Sequence, residues 1–242
     1  MATERIVIVL AAGRGSRFVA GAHKLAAPFG DAGVLATTLR HAIASHMPVV
    51  VVTTAPFAEL ARSSVAARDV VILPEVDTED GQGLGMGHSI SAGVRATPHA
   101  GGWLVLPGDM PLVRPATLQA VARELDRHPV VYAQYGGRRG HPVGFAAELY
   151  SELVDLRGDQ GARRLVARYP AIGLELDDPG ILVDIDTVDD LDAARRGARR
   201  RVDSDRRPVP LAPHRASGRQ RVVAGEGDEP LDVAVANAEV AQ

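Results

Sequence analysis

A three-layer α/β/α fold around a mostly parallel sheet is the architecture this sequence predicts. Three observations carry that expectation. Short runs of β-branched apolar residues recur along the chain, amphipathic helical stripes separate them, and a glycine-rich, basic loop follows the first run. Ligand loops at the carboxyl ends of strands are where open α/β sheets do their binding.

The elements are taken in chain order. Ile6 to Leu10 is an unbroken apolar run, as expected for a strand buried on both faces. Leu35, Leu39, Ile43 and Met47 lie four apart and predict a helix that stops at Pro48. Val49 to Thr53 reads as a second strand. Phe57, Leu60, Ala61 and Val65 form the next stripe, and Val70 to Leu73 the strand after it. Ile90 and Val94 mark a short helix, and Trp103 to Leu106 a fourth strand. Leu118, Val121, Ala122 and Leu125 pattern a helix behind Pro115, which suits a first-turn position. Val130 to Tyr135 and Ile172 to Leu176 read as later strands, with helical patterns around Leu149 to Leu156 and Leu165 to Tyr169 between them. Strand–helix–strand units of this kind predict right-handed crossovers in a Rossmann-like sheet.

With 242 residues, 46% hydrophobic content and a formal charge of −3, the chain has the composition of an ordinary soluble globular protein and not of a basic nucleic-acid binder. It has no cysteine, which excludes disulfides, thiolate zinc sites and cysteine nucleophiles. No apolar run approaches the ~20 residues of a membrane span, and the first strand begins too early for a signal peptide, so the expected location is cytoplasmic. The domain is expected over residues 1–197. From 198 to 242 the sequence turns Arg- and Pro-rich with only a weak Leu231-Val233-Val235 alternation, and is expected to be a disordered tail.

Several stretches carry candidate chemistry. After the first strand, Leu10-Ala11-Ala12-Gly13-Arg14-Gly15-Ser16-Arg17, with Lys24 further on, combines bare backbone N–H groups with positive charge, the features of a phosphate cradle. It lacks the Gly-Lys-Ser/Thr of a Walker loop and the third glycine of the dinucleotide fingerprint. Gly85-Met86-Gly87-His88-Ser89 places glycines at the start of a helix, where main-chain groups and Ser89 are candidates to hold a base or sugar. Gly108-Asp109-Met110-Pro111 puts an acidic residue after a buried strand. A carboxylate facing a phosphate cradle calls for an intervening cation, and Mg²⁺ is the usual one. Ile181-Leu182-Val183-Asp184-Ile185-Asp186-Thr187 reads as a strand leading into a helix. Period two sets Asp184 and Asp186 on one face, either of them a candidate second ligand. Thr187 and Asp190 have the spacing of a capping box. Finally, Arg138 to Phe145, with Gly140, His141 and Pro142, and Gly158 to Arg163 read as polar, glycine-rich loops suited to gripping an acceptor, with His141 either structural or catalytic.

Taken together and in this order, these motifs resemble the MobA-like NTP transferases over about residues 5 to 195, and within them the molybdenum cofactor cytidylyltransferase branch. Two stretches depart from the family pattern: the run after Lys24 lacks a Gly-Lys-Pro turn, and Glu75 to Leu84 is longer and more acidic. The resemblance implies a fold of the nucleotide-diphospho-sugar transferase type. It further implies transfer of CMP from CTP to the terminal phosphate of molybdopterin, with Mg²⁺ and release of pyrophosphate. By the same resemblance Arg17, Lys24 and Asp109 are catalytic. Leu10 to Ser16, Lys24, Gly85, Met86, Gly87, Ser89 and Gly108 bind nucleotide, Gly140, His141, Pro142 and Arg163 bind the acceptor, and Asp109 and Asp186 hold the metal. A molybdoenzyme or its chaperone is the implied partner. The alternatives are a guanylyl- or sugar/polyol-phosphate nucleotidyltransferase of the same fold, a non-catalytic cofactor-binding accessory protein, and an NAD-binding oxidoreductase.

Overall fold

The computed structural model describes residues 4–13, 15, 18, 23–75, 85–158, 161–205 and 222–224. The first apolar run forms β1 (Arg5–Ala11), with Val7, Ile8 and Val9 fully buried. Both faces of this strand are covered because it lies in the middle of the sheet. It pairs in parallel with β4 (Val49–Thr54) on one side and β6 (Gly102–Pro107) on the other. Beyond β4 lies β5 (Val70–Leu73), also parallel.

On the other flank β8 (Arg138–Ala146) runs antiparallel to both β6 and β7 (Val130–Tyr135). Next come β9 (Ala171–Glu175), parallel to β7, and β10 (Val222–Ala224), antiparallel to β9. The order β10-β9-β7-β8-β6-β1-β4-β5 makes the sheet mostly parallel with two reversed strands. Outside it, β2 (Pro28–Phe29) and β3 (Ala32–Gly33) form a small hairpin.

Period two divides the core. Val7, Val9 and Ala11 face α1 (Val34–Ile43) and α4 (Pro115–Glu124), against Leu35, Leu39, Leu118 and Val121. Ile8, Val50 and Val105 face α3 (Gly85–Arg95) and α5 (Tyr150–Val154), against Ile90, Val94 and Leu153. The first layer also receives α2 (Ala55–Arg62) through Ala61, and the second α6 (Gly161–Arg168) through Leu165 and Val166. A third cluster joins Phe18, Phe29, Val34, Leu112 and Ile185 to Leu191 and Ala194 of α7 (Val188–Asp205).

Four expectations change. The segment 138–146 is a strand, not a loop. Its glycine, proline and arginines lower β propensity, but a position between two strands overrides that preference. Residues 181–183 belong to a 3₁₀ turn (Pro179–Leu182) and an extended link, not a strand. Ile43 is 42% exposed, because a strict four-residue spacing drifts about 40° per step around a helix and leaves the buried face by its third member. The boundary expected at 197 falls inside α7, which continues to Asp205, and Val222–Ala224 joins the sheet edge. The arginines and alanines read as tail are good helix formers. The Leu231-Val233-Val235 alternation lies outside the described residues.

Candidate active site

The site is assembled at the carboxyl ends of β1 and β6. The Gly108 N–H donates to the Leu10 carbonyl at 2.8 Å, carrying the ladder one step past Pro107 and setting Asp109 beside the end of β1. The Thr38 hydroxyl, reaching from α1, donates to the Gly108 carbonyl at 3.0 Å. The Ile185 N–H donates to the Asp109 carbonyl at 3.1 Å while its side chain is fully buried in the third cluster. That one bond brings Asp184 and Asp186, on either side of Ile185, to Asp109. Thr187 then caps α7. Asp190 N–H donates to its Oγ at 3.2 Å, and the Asp190 carboxylate accepts from the Thr187 N–H at 2.8 Å, the predicted capping box.

Lys24 enters from a 3₁₀ turn (Lys24–Ala26). Its Nζ lies 2.7 Å from Asp109 Oδ2 and 2.5 Å from Asp186 Oδ1, with the three side chains 12%, 15% and 23% exposed. Burial works against the ammonium charge, but Asp109 and Asp186 outweigh it and hold the Lys24 pKa above its ordinary value. Asp184 goes the other way for a carboxyl: burial, then the charges of Asp109 and Asp186, push its pKa up. Among the described residues, Lys24 thus pairs with Asp109 and Asp186, and Asp184 lies within reach of all three charges. Asp109 Oδ1 is buried with no hydrogen-bond partner, an arrangement that favours another cation. Among the described residues no group of three or more acidic or histidine side chains closes around a point. A divalent ion here would therefore take Asp109 and Asp186 and complete its shell with water and phosphate oxygens, the usual pattern for Mg²⁺.

Beside Asp109, on β8, lies His141. Its ring is buried, neither nitrogen makes a hydrogen bond of normal geometry, and the Val105 main chain runs alongside. Burial pushes its pKa down to about 4, against the opposing pull of Asp109 and Val105, so the ring is neutral at pH 7. Gly140 to Pro142 are released from the β7 ladder, where Tyr132 pairs with Val143 and Gln134 with Arg139, leaving three residues of β8 opposite one of β7. Gly140 packs against the Ile181 carbonyl with no room for a side chain.

The glycine turn comes directly after β1. Ala12 is half-buried, and Gly15 has φ +61°, the left-handed region that favours glycine. Arg14, Ser16 and Arg17, named above for the triphosphate, lie outside the described residues. On α3, Met86 packs into the second core cluster and Ser89 is buried. The Gly87 N–H donates to the Gly158 carbonyl at 2.8 Å. A Cβ at Gly87 would sit 2.6 Å from that oxygen, so the glycine serves close packing of α3 on the 157–158 turn, and its amide is already used. The half-buried Arg163 lies on α6, which packs against α3.

Two features were not anticipated from sequence. His23 caps the turn that carries Lys24, its Nδ1 accepting from the Leu25 N–H at 3.2 Å. A histidine immediately before the lysine was the available signal, since a short-range acceptor is favoured at that position. Thr38, inside a helix, gave none.

Comparison with known proteins places the chain in a family. Residues 7–172 match the family profile described as MobA-like NTP transferase domain. The purine catabolism protein PucB of Bacillus subtilis (strain 168) is 29% identical over 211 residues, 79% of this chain and 96% of PucB. The bifunctional protein GlmU of Alkalilimnicola ehrlichii is 37% identical over 123 residues, but the chain spans only 25% of its length and half of this chain is matched. The crystal structure of Rv0371c from Mycobacterium tuberculosis H37Rv superimposes with a TM-score of 0.69 at 30% identity, covering 81% of this chain and 99% of that one. The same mycobacterial protein has also been crystallised in complex with manganese.

Proposed function

Given that this chain belongs to the MobA-like NTP transferases, nucleotidyltransferases that act on nucleotide substrates, we propose that it transfers CMP from CTP to the terminal phosphate of molybdopterin, releasing pyrophosphate. The observation that carries the reading is the convergence of Lys24, Asp109 and Asp186, with one Asp109 oxygen buried and unsatisfied, beside a glycine turn at the end of β1. Ala12 supports the choice of CTP. Its Cβ narrows the space beside the turn and favours a single-ring base, a steric effect worth ~1–3 kcal/mol.

A phosphate monoester is largely ionised near neutral pH, so the acceptor needs no strong general base. The neutral, buried His141 is consistent with a site that supplies none. The protein's task is to align two anions and offset their charge. Lys24 moves its ammonium between the carboxylates and the triphosphate, the loop amides hold the departing pyrophosphate, and Asp109 and Asp186 would hold a divalent cation. When bound, that divalent ion polarises the α-phosphate. Gly140, Pro142, Arg163 and His141 flank the acceptor side in this reading, and Arg17 adds charge to the triphosphate. A molybdoenzyme or its chaperone would take the product.

The deciding experiment is pyrophosphate release with each of the four ribonucleoside triphosphates, with and without molybdenum cofactor, in Mg²⁺ and in Mn²⁺. Preferred turnover of CTP that requires the cofactor supports the proposal. Preference for GTP moves the chain to the guanylyl branch. Turnover only with a sugar or polyol phosphate removes it from cofactor maturation.

A further inference from the structure

Beyond capping the Lys24 turn through Nδ1, His23 commits its second ring nitrogen as well. Because Nδ1 accepts from the Leu25 N–H, the proton must be on Nε2, which lies 3.0 Å from the Gly13 carbonyl and donates to it. The ring also packs on Phe57, with centroids 4.3 Å apart. Gly15 also lies against the ring, where a Cβ would come within 2.8 Å of His23 Nε2. The Phe18 N–H closes the turn onto the Gly15 carbonyl at 3.0 Å. One imidazole therefore joins the glycine turn at the end of β1 to the first residues of the turn that presents Lys24.

We propose that His23 is a positioning residue for nucleotide binding: as the Nε2–H tautomer it sets the Gly13–Gly15 turn in register with Lys24, so that both address one triphosphate. This rests on the reading that the turn holds the triphosphate. The two bonds separate by substitution, since an asparagine amide falls near the Nδ1 position and a glutamine amide near Nε2. His23→Asn keeps the cap to Leu25 and loses the brace on Gly13, whereas His23→Gln keeps the brace.

The test uses the full chain, with CTP titrated at fixed acceptor and acceptor titrated at fixed CTP, and direct CTP binding measured without acceptor. His23→Asn is expected to melt within a few degrees of wild type, to raise the KM and Kd for CTP at least tenfold, and to leave the acceptor KM within twofold. His23→Gln is expected to hold the CTP KM within threefold of wild type. An unchanged CTP KM in His23→Asn, or an equal rise in both variants, overturns the proposal. So does a loss in which the KM values for CTP and acceptor move together with the melting temperature, which is the mark of a structural role alone. A folded wild-type chain that binds none of the four triphosphates overturns the nucleotide reading itself, an outcome visible before any variant is made.

Discussion

Replacing Lys24 by methionine removes the ammonium that pairs with Asp109 and Asp186 while keeping the length of the side chain. Breaking a buried ion pair by deleting one partner costs ~3–5 kcal/mol, because the other charge is left uncompensated. Here the Lys24, Asp109 and Asp186 side chains retain 12–23% exposure, so screening reduces the loss to ~2–4 kcal/mol. For a chain of this size that corresponds to a fall in Tm of roughly 5–15 °C. The loss depends on pH with a definite sign. The Asp184 pKa is raised in the folded protein, so its stabilising proton is fully present below the ordinary carboxylate range and lost as pH rises through the raised value. Without Lys24 the folded cluster binds protons more readily still, and Lys24→Met should approach wild-type stability in acid and fall furthest behind at pH 7. Manganese should restore what the lysine supplied, by ~2.7 kcal/mol at a hundredfold excess over its Kd. Scanning calorimetry of both proteins in chelator and in Mn²⁺, from pH 4.5 to 7.5, measures all three effects. A Lys24→Met chain that melts within 2 °C of wild type in chelator at pH 7, and gains nothing from Mn²⁺, refutes the charge argument.

The same geometry sets two further outcomes. Asp109→Asn should keep the fold and lose ~3 kcal/mol of transition-state stabilisation, roughly a hundredfold in kcat, and near-normal pyrophosphate release from a folded variant would count against its place at the metal. The His141 pKa is lowered by burial to about 4, so its contribution to stability is present above the ordinary histidine value and lost as pH falls from about 6.5 to 4. That is ~3 kcal/mol. Urea unfolding at pH 7.5 and 4.5 should show a flatter pH dependence for His141→Asn than for wild type, and parallel curves would show that the ring is not buried as a neutral group.

How much of this was legible in the sequence depended on the range of the interaction responsible. The strands from Ile6, Val49 and Trp103 declared themselves because a strand buried on both faces needs a continuous apolar run, which is local information. The Thr187–Asp190 cap was equally plain, both partners lying within one turn. Lys24, Asp109 and Asp186 were singled out by residue type and, for Asp109, by a position just past the end of a buried strand. Which of Asp184 and Asp186 meets Lys24 was not decided by period two, because their segment is no strand. It was decided by the Ile185 bond to Asp109 and by the burial of Ile185 in a core built from four separate parts of the chain. The same holds for β8, whose glycine and proline conceal a strand until β6 and β7 enclose it, and for Gly87, whose amide belongs to Gly158 across 71 residues of chain. Patterning, turn chemistry and caps act over a few residues, so the sequence determined the layers, the strands of the parallel core and the types of side chain gathered at the candidate site. Pairings between distant segments exist only once the chain has closed on itself, and these decided which carboxylate takes the lysine, where His141 is buried and how His23 holds the loop.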